Sequence, residues 1–222
     1  MNKVQEVFEQ RSQTGRSARH HDLASRLITA AEATITAHGL SEMRARDLAQ
    51  AAGCSVGAIY GVFPTLDALV MAVNDRTLAA LQQTLERSTA PGAAMPPAEK
   101  LARFAAAYLA FAAEHRSRWA ALFQHRLAPG QSVTAEYEAR QLAMLSRVAI
   151  LIGAICPAMP AEHLALWART LFSAVHGVVQ LGLEEKLEPV PRAMLEGQLR
   201  DLVSALAAGL ESQSGDGGTR TE

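Results

Sequence analysis

Apolar side chains recur along this chain at spacings of three and four residues, while the alternation of a half-buried strand is absent. The pattern predicts an all-α chain of about nine helices. The first, residues 22–38, places Leu23, Leu27, Ala30, Ala31, Thr34 and Ile35 on one face and stops at Gly39. Two short helices then fit within residues 46–60, RDLAQAAGCSVGAIY. The fourth, residues 65–88, opens on Thr-Leu-Asp, a capping hydroxyl followed by an early carboxylate. It carries Leu66, Leu69, Val70, Val73, Leu78, Leu81 and Leu85. At ~1.5 Å per residue it spans ~35 Å, enough to join a small head to a separate body. Residues 88–97, STAPGAAMPP, form the proline-rich break after it. Body helices are expected over residues 98–114, 117–127, 134–155, 161–183 and 192–210, separated by further proline-bearing breaks.

The segment 46–60 has the order of a helix-turn-helix, and each small residue in it has a mechanical reason. Ala49 presents only a methyl group where two helices cross, and Gly53 closes the first of them in a left-handed conformation that other residues adopt at a cost. Leu48 and Ile59 wedge the pair at a fixed angle, and Ser55 caps the second helix. In such a unit the second helix is held out to inspect a DNA groove.

Residues 23–80 resemble the DNA-binding domain of the TetR family of one-component transcriptional regulators. The resemblance rests on His38-Gly39-Leu40, Arg46-Asp47-Leu48-Ala49, Ala52-Gly53-Cys54-Ser55, Gly57-Ala58-Ile59-Tyr60, Phe63 and Leu66-Asp67-Ala68-Leu69. The sequence departs from the family at three positions. Leu66 stands where a basic phosphate contact is frequent, Val62 where His or Tyr is frequent, and Arg44 where Thr or Ser is common. The resemblance implies a three-helix DNA-binding head, residues 22–65, and a connecting helix, 66–88, that leads to a helical-bundle ligand and dimerisation body, 89–211. The charge cluster before the head is expected to be a flexible basic arm, residues 1–21, and the tail, 212–222, which lacks apolar residues, is expected to be disordered.

Few hydrogen-bonding side chains decorate the second helix of the head, so bidentate reading of bases is expected to be sparse. Ser55, backbone N–H groups at the helix start and Thr65 are candidate phosphate contacts. Val56 and Ala58 are placed to meet thymine methyls beside Gly57. Arg44 and Arg46 are placed to reach backbone or base edge. The resemblance implies a phosphate contact for Tyr60; packing as an aromatic staple is the alternative. Arg16 and Arg19 belong to a cluster from Arg11 to His21 that lacks acidic residues. That cluster reads either as a DNA-contacting arm or as a solvated leader.

One head with so few base contacts reads too little sequence to find a site alone, so a homodimer on an inverted-repeat, double-stranded operator is expected. Leu164, Leu171, Val175 and Val178, with Met194, Leu195, Leu199, Leu202, Val203 and Leu206, are the candidate dimer surface. The resemblance implies that the last two helices pair with their mates in a four-helix bundle; intramolecular core is the other reading. The candidate ligand box is Phe104, Tyr108, Phe111, Trp119, Phe123, Trp167 and Phe172, with Met144, His125 and His176. The stretch from Trp167 to His176-Gly177 resembles the Trp and His-Gly motif of one TetR C-terminal domain class. Its His176 is read either as a core histidine or as a ligand contact.

Composition narrows this picture. The 222 residues are 49% hydrophobic with a net charge of −1, an ordinary globular balance in which DNA attraction has to come from local charge. The two cysteines, Cys54 and Cys156, are far apart, which fits a reducing cytoplasm and predicts no metal site. No apolar run approaches the ~20 residues that span a bilayer, so no membrane partner is expected. Nucleotide-binding, hydrolase and zinc-protease motifs are absent, which argues against an enzyme, and no cofactor is expected. The reading is thus a DNA-binding repressor released by an apolar or amphipathic effector. Its alternatives are a DNA-binding dimer without a ligand, and a helical small-molecule-binding protein with a vestigial helix-turn-helix.

Overall fold

The computed structural model describes residues 3–89, 95–127, 130, 132–184 and 190–216, with side chains from residue 17 to residue 212 within those spans. Among the described residues all regular structure is helical. The order is α1 (Lys3–His38), a 3-10 turn (Leu40–Glu42), α2 (Ala45–Ala52), α3 (Val56–Val62), α4 (Leu66–Ser88), α5 (Pro97–Glu114), α6 (Arg116–Gln124), α7 (Ala135–Ile155), α8 (Ala161–Glu184) and α9 (Arg192–Asp216). Helix α1 begins at Lys3, so the expected arm enters the helix well before residue 22. Helix α9 likewise runs past residue 212, and residues 217–222 lie outside the described residues.

Local chemistry explains several of these ends. The Thr134 side chain accepts from the Tyr137 N–H, and Glu136 and Glu138 follow in the first turn of α7, where carboxylates meet the positive end of the helix dipole. Pro97 starts α5, where its missing N–H costs nothing.

The chain divides into two compact units, Met1–Thr77 with Ser117–Ser132, and Leu78–Arg116 with Val133–Glu222. In the first, α1 packs on α2, α3 and the 3-10 turn. Leu27, Ala31, Ile35, Leu48, Ile59, Leu69 and Val73 form its core, each at most 1% exposed. Each such large side chain is worth ~1.5–3 kcal/mol of burial. Helix α6 contributes Ala121 to the same core, and Glu32 of α1 ties the unit together by accepting from both Arg76 and Arg118. In the second unit α5 packs on α7, α8 and α9, and α8 on α7 and α9. Its interior is apolar, with Leu109, Ile152, Val179, Leu199 and Val203 all essentially buried.

Helix α8 has the length and apolarity to cross a membrane, although no such run stood out from the sequence. It turns Ala168, Leu171, Val175 and Val179 into the second unit, whereas Leu166 and Leu181 remain exposed.

Candidate functional site

The turn between α2 and α3 is built by backbone geometry. Gly53 has φ 63° and ψ 46°. Its N–H donates to the Gln50 carbonyl at 3.2 Å, and the Cys54 N–H donates to that of Ala49 at 2.9 Å. This pair of bonds is the Schellman closure of a helix, which needs a left-handed residue at the position of Gly53. Two residues later the Ser55 hydroxyl accepts the Ala58 N–H at 3.2 Å and starts α3. Leu48 and Ile59 are wholly buried where the helices cross, and Ala49 is 4% exposed.

Sequence reasoning missed Arg26. Its guanidinium reaches from α1 to donate to the Ala52 carbonyl at the end of α2, while its Nε pairs with Asp22 at 3.1 Å. This residue positions the turn; a cation near the negative end of a helix, one contact away from Gly53, was the available signal.

The order of burial along α3 decides what it presents. Ile59 points into the core while Val56 is 37% and Tyr60 47% exposed. Tyr60 is therefore no buried staple. Ser55 and Gly57 are exposed beside them and Ala58 is half-buried. Arg44 caps α2 without a side-chain cap bond, its guanidinium held by the Ser41 carbonyl at 2.6 Å and Glu42 at 3.8 Å. Arg46 is exposed with no side-chain partner among the described residues. Thr65 is half-buried and caps α4, accepting from the Ala68 N–H at 3.1 Å. Val62 and Leu66, two of the three departures, pack against the core of this unit. Arg19 is exposed on α1; the Arg16 side chain lies outside the described residues.

The expected ligand box is divided. Phe104, Tyr108, Met144 and Phe172 line one cavity of about 30 Å³ in the second unit. That volume suits one or two waters. Behind it the Tyr108 hydroxyl lies 2.8 Å from His176 Nδ1, and the His176 ring stacks on Phe172 at 5.7 Å. Desolvation lowers the His176 pKa from its ordinary 6.5, which favours the neutral ring as a partner for the phenol. Phe111 is 3% exposed and packs edge-on to His115 instead. Trp167 is half-buried on α8 and does not line the cavity.

Trp119, Phe123 and His125 require a correction, because α6 and the chain after it belong to the first unit. Trp119 is 1% exposed with Phe123 edge-on at 5.4 Å, and His125 pairs with Asp67 at 3.0 Å. Asn74 of α4 donates to the Ala121 carbonyl across a long 3.4 Å.

The expected dimer surface is likewise part core. Leu171, Val175, Leu195, Leu199 and Val203 are between 1% and 7% exposed within the single chain, and Leu171, Val175 and Val203 line the cavity. Leu164, Val178, Leu202 and Leu206 are half-buried. Met194 of the expected set is 58% exposed, and Leu166 and Leu181, 62% and 49% exposed, were not among the expected residues. Leu166, Thr170, Gly177 and Leu181 follow one another at offsets of four, seven and four, a single side of α8.

Residues 27–73 match the domain described as bacterial regulatory proteins, tetR family, and residues 101–206 match the tetracyclin repressor-like C-terminal domain. No curated protein matches the chain in sequence. A Rhodococcus sp. RHA1 protein described as of unknown function is 25% identical, with a TM-score of 0.66, over 82% of this chain and 94% of its own. A tetR-family transcriptional regulator from Streptomyces coelicolor is 23% identical, with a TM-score of 0.64, over 88% of this chain and 86% of its own. RolR, solved in complex with the ligand resorcinol, is 17% identical, with a TM-score of 0.61, over 88% and 96%.

Proposed function

The chain belongs to the TetR family of transcriptional regulators, and from that premise we propose a homodimeric repressor that binds an inverted-repeat operator and is released by an apolar or amphipathic small molecule. The observation that carries the DNA-reading half is the exposure of Val56 and Tyr60 on a helix whose other side, at Ile59, is locked into the core. An aromatic and a β-branched side chain left in water on a capped seven-residue helix need a partner surface. Ser55 and Gly57 beside them, with the exposed Arg46 of α2, supply the polar contacts to phosphate that DNA requires. Two such heads one turn of DNA apart, ~34–36 Å, read successive major grooves. The dimer face runs along the exposed side of α8 and α9, through Leu166, Leu181 and Met194.

The effector half rests on the cavity lined by Phe104, Tyr108, Met144 and Phe172, and the RolR complex with resorcinol supports a small-molecule reading for this fold. Ligand pockets measure ~300–1,000 Å³, so the cavity has to open for an occupant to enter. That requirement couples occupancy to helix displacement. An effector that weakens DNA binding ~100-fold must favour the open state by ~3 kcal/mol. The setting is the cytoplasm, where Cys54 and Cys156 stay reduced.

A DNA-binding dimer with no effector is the second reading, favoured by the small volume of the cavity. Operator binding with and without candidate effectors separates the two. Under the main reading Tyr60→Ala with Arg46→Ala removes specific binding and leaves the dimer intact; an unchanged affinity contradicts both.

A further inference from the structure

Two voids in the second unit share a wall. A narrow cavity of about 30 Å³ and a wider groove of about 510 Å³ are both bordered by Leu85, Phe104 and Met144. Leu85 and Phe104 are 2% and 8% exposed. Met144 is half-exposed, unbranched and free of ring constraints, the side chain among the three that changes shape at least cost.

The two voids differ in chemistry. Apart from the Tyr108 hydroxyl, the inner cavity is lined by hydrocarbon and ring. A charged group there would lose its hydration without a counter-ion. The groove holds Arg147, one turn beyond Met144 on α7. Arg147 is exposed and, among the described residues, forms no ion pair and makes a 3.4 Å contact to the Thr89 hydroxyl. The one acid lining the groove, Glu86, already accepts from the Gln82 amide at 2.9 Å.

We infer that the groove is the entrance to the cavity, that Met144 is its gate, and that the ligand class is an elongated amphipathic carboxylate, with its head at Arg147 and its apolar chain threaded past Met144 against Phe104 and Phe172. This deepens the effector reading above and rests on it only for the consequence to DNA. The arrangement explains how a small cavity serves an effector: the apolar end displaces a flexible methionine while the anionic end stays in water beside a guanidinium, where a carboxylate is held by charge-assisted hydrogen bonds. A wholly buried ligand would have to be neutral; a wholly superficial one would not move the helices.

The test is direct binding to the full-length protein without DNA, by calorimetry, with octanoate, 1-octanol and acetate as probes. Octanoate is expected to bind at least tenfold more tightly than 1-octanol, and acetate not to saturate. Arg147→Gln is expected to bring octanoate and 1-octanol within about twofold of each other. Met144→Trp is expected to weaken both at least tenfold. Arg147 is exposed, so its variant keeps the test intact if Met144→Trp loses the wild-type thermal midpoint. Equal binding of octanoate and 1-octanol, no saturable octanoate binding at millimolar concentration, or indifference to Arg147→Gln overturns the inference. A parallel operator titration keeps the two claims apart: octanoate binding that leaves DNA affinity unchanged refutes the effector reading and spares the ligand class.

Discussion

The first unit is clamped by directional contacts, while the second is held mainly by apolar packing around a small void. In the first, a left-handed glycine, a serine cap, the Arg26 donation to Ala52 and the Arg76–Glu32–Arg118 cluster each fix an angle. In the second, polar links around the cavity include Tyr108 with His176 and a long contact from Arg147 to Thr89. Directional bonds are made or broken, whereas apolar side chains slide and repack at small cost when volume is conserved. The difference teaches where shape is kept and where it can be changed. A unit that presents α3 to a groove needs the first kind of construction, and a unit that opens for a small molecule needs the second.

Breaking the first unit should have the largest effect. Ile59→Ala removes a wholly buried side chain from the helix crossing, with an expected loss of ~2–5 kcal/mol in stability and no measurable operator binding. Thermal unfolding and a DNA titration check it. Gly53→Val puts a β-branched residue at φ 63°, so a cost of at least ~1–2 kcal/mol and a weakened operator complex are expected. Ser55→Ala should cost ~1 kcal/mol through the lost cap. Gly177→Ala, by contrast, meets nothing within 4 Å in the second unit and should leave the thermal midpoint nearly unchanged.

The smallest expected effect lies in the second unit and depends on pH. Burial lowers the native pKa of His176 below its ordinary 6.5. The unfolded chain therefore binds the proton more readily than the native one. This contribution is fully present above about pH 6.5 and declines as pH falls through that value toward the lower native pKa. Between pH 8 and pH 5 the thermal midpoint of the wild type should fall further than that of His176→Gln, which lacks the titrating ring. Identical slopes would remove the histidine from the account.

The same contrast governs what the chain reveals before it is folded. Gly53, Ser55, Leu48 and Ile59 act within fifteen residues of one another, so spacing alone exposes the turn and its wedge. The cavity is assembled by α4, α5, α7, α8 and α9 across more than a hundred residues. Residue type identifies Phe104, Tyr108, Met144 and Phe172 as suited to it, but gives no means of separating Leu171, Val175 and Val203 from a dimer surface. Trp119 and Phe123 were misplaced for a related reason. Their aromatic character suits a pocket, yet the first unit draws residues 117–132 into its own core through Ala121, which no local spacing announces. The start of α1 at Lys3 was missed because the cluster from Arg11 to His21 lacks the apolar periodicity that marks a buried helix face.

The most direct test of the central claim is a fluorescence-polarisation titration of the protein against DNA from its own upstream region and against scrambled DNA, at two salt concentrations, with wild type and the Tyr60→Ala, Arg46→Ala double variant. The account predicts tight, dimeric, sequence-dependent binding by the wild type and at least a tenfold loss in the double variant with the dimer intact. Equal affinity for both DNAs, lost as salt rises and indifferent to the two substitutions, would reduce the interaction to phosphate attraction and contradict a sequence-reading α3.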